Sequence, residues 1–459
     1  MPSSARKSLH IGLALALLVA LFAFLARSAG AQAAPQRLSL GDAARLAARQ
    51  GAPALEAVLR AGEIGQRVRE ARSALLPTLS TTGSQTSHTL NSATFGFNFP
   101  TEPGVPPLLD PHGQIIGPVN LTEARGRVSQ AVYDPAAIQR VRSARSSHDA
   151  ATADASNVAE QEAAAAAAAY VRTIRGYAQV AARLADSSLA AELLNIAKDQ
   201  LSAGVGVALD VTRAQAQLAG IRAQLVAARN DRDRSELELK RVLNVPLDQQ
   251  LVLTDSLSEA ELPEVEPQVN ENEVIARAMQ TRPDVRALDA QLKASQQEAS
   301  AIRAERLPSV GAFGDDGLVG YNLAHMLPTY TLGVQVSVPV FDGFRRDSRI
   351  EQQSLATQQL EVRRRDINQR VAVEVRTALL DLESARKQVD LSLERLRLTA
   401  QEVTQARERF TAGVAGNLDV ITAQLGLNVA RTSLIEAETA YENARVSLAR
   451  AQGSVTTLQ

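Results

Sequence analysis

Two tripeptides, Leu209-Asp210-Val211 and Leu418-Asp419-Val420, lie 209 residues apart, and each follows a glycine-punctuated turn. The turns read Ala203-Gly204-Val205-Gly206-Val207-Ala208 and Ala412-Gly413-Val414-Ala415-Gly416-Asn417. Downstream of the first runs a seam of Val211, Ala214, Leu218, Ile221, Leu225, Ala228, Arg232, Ser235, Leu239 and Val242. Adding 209 to each position gives Val420, Ala423, Leu427, Ala430, Leu434, Ala437, Tyr441, Ala444, Leu448 and Ala451. Both seams step three, four, three, four, the period that winds helices into a left-handed supercoil. A chain written twice in this way is one structural unit repeated, built on long coiled-coil-like helices.

The composition suits such helices. The 459 residues include no Cys and no Trp, and 3% are aromatic against 45% apolar. Chains of that kind pack interdigitating helices more readily than a bulky globular core. With 49 basic and 50 acidic residues the net charge is -1, so no global field favours nucleic acid. The run Arg363-Arg364-Arg365, followed by Asp366, reads as a solvated helix face. Residues 1–33 have the pattern of an export signal. Arg6 and Lys7 start it, Ile11 to Leu25 form its apolar stretch, and Ala29-Gly30-Ala31 or Ala31-Gln32-Ala33 supplies a small-residue cleavage site. Without Cys there is neither a lipid anchor nor a disulfide, so stability must come from packing or oligomerisation.

The two copies occupy residues 34–244 and 270–459, joined by an acidic, Pro-bearing linker at 245–269 that is expected to lie outside the helical bundle. Copy one opens at Leu38-Ser39-Leu40-Gly41-Asp42 with a capped helix, broken near Pro53, that runs to Leu76-Pro77. Copy two opens near Asn270 and passes Arg282-Pro283-Asp284-Val285 to reach Leu307-Pro308. Proline stops each helix and forces an extended exit. Beyond it comes one β-hairpin per copy, at about 78–133 and 309–341, the first carrying a long loop from Thr101 to Asn120. The clearest strand runs from Tyr330 to Phe341. Then come long helical hairpins at 136–244 and 345–455, whose outgoing arms, Ala136 to Leu201 and Arg345 to Phe410, would each span about 100 Å. The second arm carries a seam of Leu379, Leu382, Arg386, Val389, Leu393, Leu396, Ala400, Val403, Arg407 and Phe410, and the first has the small-residue run Ala163 to Ala169.

In the strands, Val334, Val336 and Val338 alternate with Gly333, Gln335 and Ser337, and Val128 alternates with Glu123, Arg125 and Arg127. Two hairpins cannot close a barrel alone, and open strand edges are not tolerated in lipid. Pooling hairpins from several chains closes it, with Val128, Val334, Val336 and Val338 facing lipid and Glu123, Arg125, Arg127 and Gln335 facing an aqueous lumen. Aromatics mark the strand ends: Tyr133 and Phe341 at one, Tyr321, Tyr330, Phe95, Phe97 and Phe99 near the other. The fold class is therefore mostly α with a membrane β-barrel. Nothing points to an enzyme. The histidines are scattered without metal-ligand spacing, no nucleophile elbow or phosphate loop appears, and no cofactor or metal is expected. Gly314-Asp315-Asp316-Gly317 reads as a hairpin turn rather than a calcium loop.

The Leu-Ser-Leu-Gly-Asp-Ala opening at Leu38, the Arg282-Pro283-Asp284 segment, the paired hairpins and the two Gly-containing Leu-Asp-Val tips together resemble the TolC-like outer-membrane efflux proteins. The resemblance covers nearly the whole mature chain. It implies a homotrimer whose pooled strands form an outer-membrane barrel continued by a periplasmic helical tunnel. Such a trimer is an exit duct for efflux or type I secretion. It would dock through tip residues Gly204, Gly206, Leu209, Gly413, Gly416 and Leu418 to a periplasmic adaptor (a membrane fusion protein) and an inner-membrane pump of the RND, MFS or ABC type. It also implies that Asp210 and Asp419 constrict the tunnel mouth, although by position alone each reads as a helix N-cap. Phe410, Ala415 and Thr422 replace a Tyr, an Arg and a second Asp of the family's pattern, which puts an Asp–Arg latch in doubt. A soluble periplasmic coiled-coil scaffold or adaptor is the alternative. An adaptor would carry a lipoyl-like domain that this sequence lacks.

Overall fold

A computed structural model describes residues 36–95, 113–257, 270–414 and 416–458. The export signal, Phe97 and Phe99, much of the expected loop, the most acidic part of the linker and Ala415 lie outside the described residues. The chain divides into two compact units. One takes the described parts of 1–56, 156–282 and 370–459, the other 57–155 and 283–369. Each unit draws on both sequence copies, so the repeat is a rule of connectivity and not a domain boundary.

Copy one runs β1 (Gln36–Leu38), α1 (Leu40–Gln50), α2 (Ala52–Ser73), β2 (Thr78–Asn91), β3 (Ile115–Tyr133), α3 (Pro135–Ser202) and α4 (Ala208–Val242). After β4 (Leu251–Leu253), copy two runs α5 (Glu271–Thr281), α6 (Pro283–Ala304), β5 (Ser309–Gly320), β6 (Met326–Ser337), α7 (Arg345–Thr411) and α8 (Asn417–Gln452). The expected starts follow local chemistry. Ser39 caps α1 in a capping box with Asp42, its Oγ accepting from the Asp42 amide at 3.1 Å. Asn270 caps α5, and Pro283 fills the first position of α6, where its missing N–H costs nothing. Among the described residues no helix is long and apolar enough to cross a membrane.

The 57–155/283–369 unit holds a four-stranded antiparallel sheet ordered β2-β3-β5-β6. The two hairpins, one from each copy, therefore pair with each other through β3 and β5, leaving β2 and β6 as edges. Three expectations need correction here. The strand expected over Tyr330 to Phe341 starts earlier, at Met326, and stops at Ser337. Pro339 cannot donate a ladder hydrogen bond, and Pro328 is accommodated because β6 is an edge. Val338 consequently lies beyond the strand. Second, Gly314-Asp315-Asp316-Gly317 is the interior of β5, not a turn, and the chain reverses after Gly320. Gly314 is there for room: a Cβ would sit 2.7 Å from Cδ2 of Leu332. Third, strand pairing begins at Asn91↔Ile115, inside the expected loop, because Ile115, Ile116 and Val119 favour a ladder that Gly117 and Pro118 only perturb, with a register shift between His88 and Leu90. Where helices meet this sheet, Glu305 accepts from Arg140 and from Arg349 (2.7 Å), while Arg346 pairs with Asp342 at 2.6 Å and donates to the Glu305 carbonyl. Burial pushes the Glu305 carboxyl up, but the two guanidiniums outweigh it and hold it below the usual range.

The other unit has its core where β1, α1, α3, α4 and β4 meet. Ala163, Ala164, Ala166, Ala167 and Ala169, the expected close-approach run, are all buried there beside Ala43, Ala44 and Ala47. Tyr170 is fully buried, donates to the Leu38 carbonyl at 2.9 Å, and is pushed up to about 12 by burial. The linker corrects another expectation. Leu251 and Leu257 are buried in this core, and β4 pairs in parallel with β1, so 251–257 belongs to the fold rather than lying outside it. Both returning helices bury the expected seam, including Leu218, Ile221 and Leu225 on α4 and Val420, Leu427 and Tyr441 on α8. The α7 seam is half displaced. Val389, Val403 and Phe410 are buried as expected, but Ala378 and Ala385 take the places given to Leu379 and Arg386. Small side chains at alternate seam positions let backbones approach, and the larger neighbours turn outward; Leu393 is left exposed.

Candidate functional site

Both helical tips close the same way. Gly204 and Gly413 adopt left-handed φ of 75° and 73°. The Val205 and Val414 amides reach back to the carbonyls of Gln200 and Arg409 at 3.0 Å each, and the Gly204 and Gly413 amides to Leu201 and Phe410. These are Schellman ends, in which a left-handed glycine satisfies the last carbonyls of a helix. Gly206 is required by crowding, since a Cβ would lie 2.9 Å from the Leu201 nitrogen. The tips present apolar side chains to solvent, with Val205, Leu209, Val414 and Leu418 all exposed.

Asp210 and Asp419 are not the caps that position alone implied. Val207 and Gly416 hold the N-cap positions, with no side-chain cap bond, and each aspartate is the third residue of its helix. They still sit at the positive end of the helix dipole. Asp419 is exposed, and Asp210 has Arg213 3.8 Å away. Phe410 is buried against Leu193 and Val420, so it forms part of the helix packing and not of an open mouth. Thr422 donates to the Leu418 carbonyl at 2.9 Å, inside its own helix. Neither supplies a latch to the aspartates.

What joins the two tips had no signal in the sequence pattern. Asn417, 1% exposed, donates from Nδ2 to the Asp210 carbonyl at 3.0 Å. In the same region Gln200 donates from Nε2 to the Phe410 carbonyl at 3.0 Å, and Arg407 of α7 pairs with Glu192 of α3. Two amides and an ion pair thus hold the copies together across about 210 residues of sequence. Farther up, Asp186 on α3 is wholly buried between Arg183 (3.1 Å) and Arg431 of α8. The Asn428 amide, oriented to satisfy its bonding, donates to the same carboxylate at 2.7 Å.

The sheet sorts the strand residues by register, because cross-strand partners share a face. Arg127 lies opposite Asp315, which lies opposite Thr331, and Gln335 is two further pairs along the same face. Glu123, Arg125, Arg127 and Gln335 therefore share one side, where Arg125 pairs with Glu123 at 2.6 Å and with Asp315. Arg127 stacks 5.3 Å from the Phe313 ring, which fills the space over Gly333. On the other side, Val128 opposes Gly314 and Gly314 opposes Leu332, in line with Val334 and Val336. Val334 and Val336 are 70% and 61% exposed, an apolar surface with nothing of this chain against it among the described residues. Near the strand ends Phe341 packs edge-on to Phe344 at 5.6 Å, and Tyr321 stacks on His325.

Residues 274–454 match the model of the outer membrane efflux protein family. The chain is 26% identical over 284 residues to the outer membrane efflux protein BepC of Brucella suis, covering 61% of this chain and 60% of that protein. It is 26% identical over 265 residues to the alkaline protease secretion protein AprF of Pseudomonas aeruginosa, covering 54% and 52%. The aligned stretches thus span about half to three-fifths of the relatives' length. The open-state MtrE outer membrane channel of Neisseria gonorrhoeae superposes with a TM-score of 0.73 at 19% identity, over 91% of this chain and 89% of that one. That likeness shows the fold over about nine-tenths of the chain: mostly helical, as in solved outer-membrane channels. Over residues 274–454 the chain thus resembles the outer membrane efflux proteins, and its fold is that of solved outer-membrane channels.

Proposed function

We propose that three copies of this chain assemble into an outer-membrane exit duct, a channel and not an enzyme, through which an efflux or type I secretion system passes its substrate. The observation that carries this reading is the four-stranded sheet, with an exposed valine-rich face, a charged face behind it and two edges open to pairing. Such a sheet is stable in lipid only if its edges are closed by other strands. Three chains at four strands each give twelve, with Glu123, Arg125, Arg127 and Gln335 lining the lumen. BepC and AprF, named for efflux and for protease secretion, support a conduit role. The exposed apolar tips around Gly204, Gly206, Leu209, Gly413, Gly416 and Leu418 are the docking surface for a periplasmic adaptor, which links the duct to an inner-membrane pump. Fractionation tests the assembly. The protein should be recovered from outer membranes as a detergent-requiring trimer that heat dissociates; a soluble periplasmic monomer would establish the scaffold reading instead.

Asp210 and Asp419 then form an anionic constriction at the duct's periplasmic mouth, with six carboxylates in the trimer. Because neither side chain is a cap, replacing both by Asn forfeits the dipole interaction, about 0.3–1 kcal/mol each, and the loose, partly exposed Asp210–Arg213 pair. In planar bilayers the double variant should lose cation preference and block by trivalent cations, with little change in thermal stability. Unchanged selectivity would remove the constriction from the account.

A further inference from the structure

The unit containing the helical tips also holds a cavity of about 640 Å³ that the proposed duct does not use. Its volume is that of a small-molecule site. Ile174 of α3, Leu253 and Leu257 of the linker, Leu396 of α7, and Leu434 and Ile435 of α8 supply an apolar wall. Five polar side chains also line it, and four of them, Ser256 included, have partners. Arg431 is paired with the buried Asp186, Asp255 accepts from the Leu40 amide at 2.8 Å, and the Tyr177 hydroxyl bonds to Glu236. The fifth is Glu438, half-buried, with neither a hydrogen bond nor an ion pair among the described residues. Its neighbour one turn on, Glu442, adds repulsion and is itself held by Arg445 at 3.0 Å. No charged group of α7 is among the lining residues.

A carboxylate left uncompensated at the edge of an apolar cavity is unfavourable in its charged form unless a counter-ion arrives. Burial first, and Glu442 second, raise the Glu438 carboxyl to about 7. A metal ion is a poor counter-ion here, because one free carboxylate on a leucine wall supplies too few oxygen ligands.

We propose that this cavity binds an amphiphilic organic cation, its apolar body against the leucine wall and its positive charge against the Glu438 carboxylate. A neutral amphiphile would leave that charge unmet, and an anionic one would be repelled by it. The site lies beyond the conduit reading and does not depend on it.

The probe is tetraphenylphosphonium, whose charge is fixed, titrated at equilibrium into the full chain in lipid nanodiscs. Binding should saturate and tighten roughly tenfold between pH 6 and pH 8 as Glu438 ionises. Glu438→Gln should bind weakly and lose the pH dependence, and Ala178→Phe, which fills the cavity, should abolish binding at every pH. The unliganded protein gives an independent reading that needs no binding. A folded-state value raised above the ordinary 4.5 confers stability present below pH 4.5 and lost as pH rises through about 7. The wild type should therefore melt below Glu438→Gln at pH 8 but level with it at pH 4, and tetraphenylphosphonium should close that gap. Absence of saturable binding to the wild type, equal binding to Glu438→Gln, or equal binding of neutral triphenylphosphine oxide would each overturn the proposal.

Discussion

Leu332→Arg is expected to cost about 2–4 kcal/mol and to deplete the assembled trimer in outer membranes, while Thr331→Arg, one residue away, assembles normally and alters conductance. The contrast follows from the strand period. Leu332, at the middle of β6, lies opposite Gly314 on the face shared with Val334 and Val336, whereas Thr331 lies opposite Asp315 on the face shared with Arg127 and Gln335. A guanidinium on the first face must enter hydrocarbon near the midplane; on the second it joins existing charges in water. The measurement is the fraction of heat-dissociable trimer in outer membranes for each variant. Equal tolerance at the two positions would show that the valine face does not meet lipid.

Asp186→Ala is expected to be comparably damaging in the periplasmic helices, at about 3 kcal/mol, the low end for removing one partner of a buried ion pair. The aspartate itself has no exposed surface, and its removal strands Arg183 and Arg431, whose side chains keep 21% and 29% exposure and so recover some hydration. The Asn428 amide loses its acceptor at the same time. Adding Arg431→Met should restore part of the loss, because the stranded charge and not the missing pair energy dominates. Denaturant midpoints of the single and double variants decide this. A single variant within about 0.5 kcal/mol of wild type would show that water replaces the aspartate at no cost.

These two effects differ in how far the sequence foretold them. The apolar face was legible because strict alternation has a single geometric meaning in a strand, and register carries it from β3 to β6. Asp186 was not legible. It is one acid among many on a long helix, its partner Arg431 lies 245 residues on, and the position 209 residues later is Arg395, so the repeat offers no echo of it. The seams of α4 and α8 could be read from period alone, since the same three-four rhythm runs through both copies at an offset of 209, with large residues and Ala alternating on α8. On α7 that rule misplaced alternate positions, because Ala378 and Ala385 occupy the close contacts and large residues do not. At the tips the Leu-Asp-Val repeats located the helix starts, but the cap falls three residues ahead of each aspartate. The cap is made there by backbone geometry at Val207 and Gly416, which leaves no side-chain signature. Asn417 was passed over for a similar reason: its role is a bond to a carbonyl in the other copy.

The central claim is that hairpins from three chains close one pore. Single-channel recording tests it most directly, with protein extracted from outer membranes, purified as the heat-dissociable species and reconstituted in a planar bilayer. The account predicts discrete, uniform conductance steps that heating abolishes together with the trimer. Insertion of the intact trimer without ion conduction, or uniform steps from the monomer alone, would contradict it.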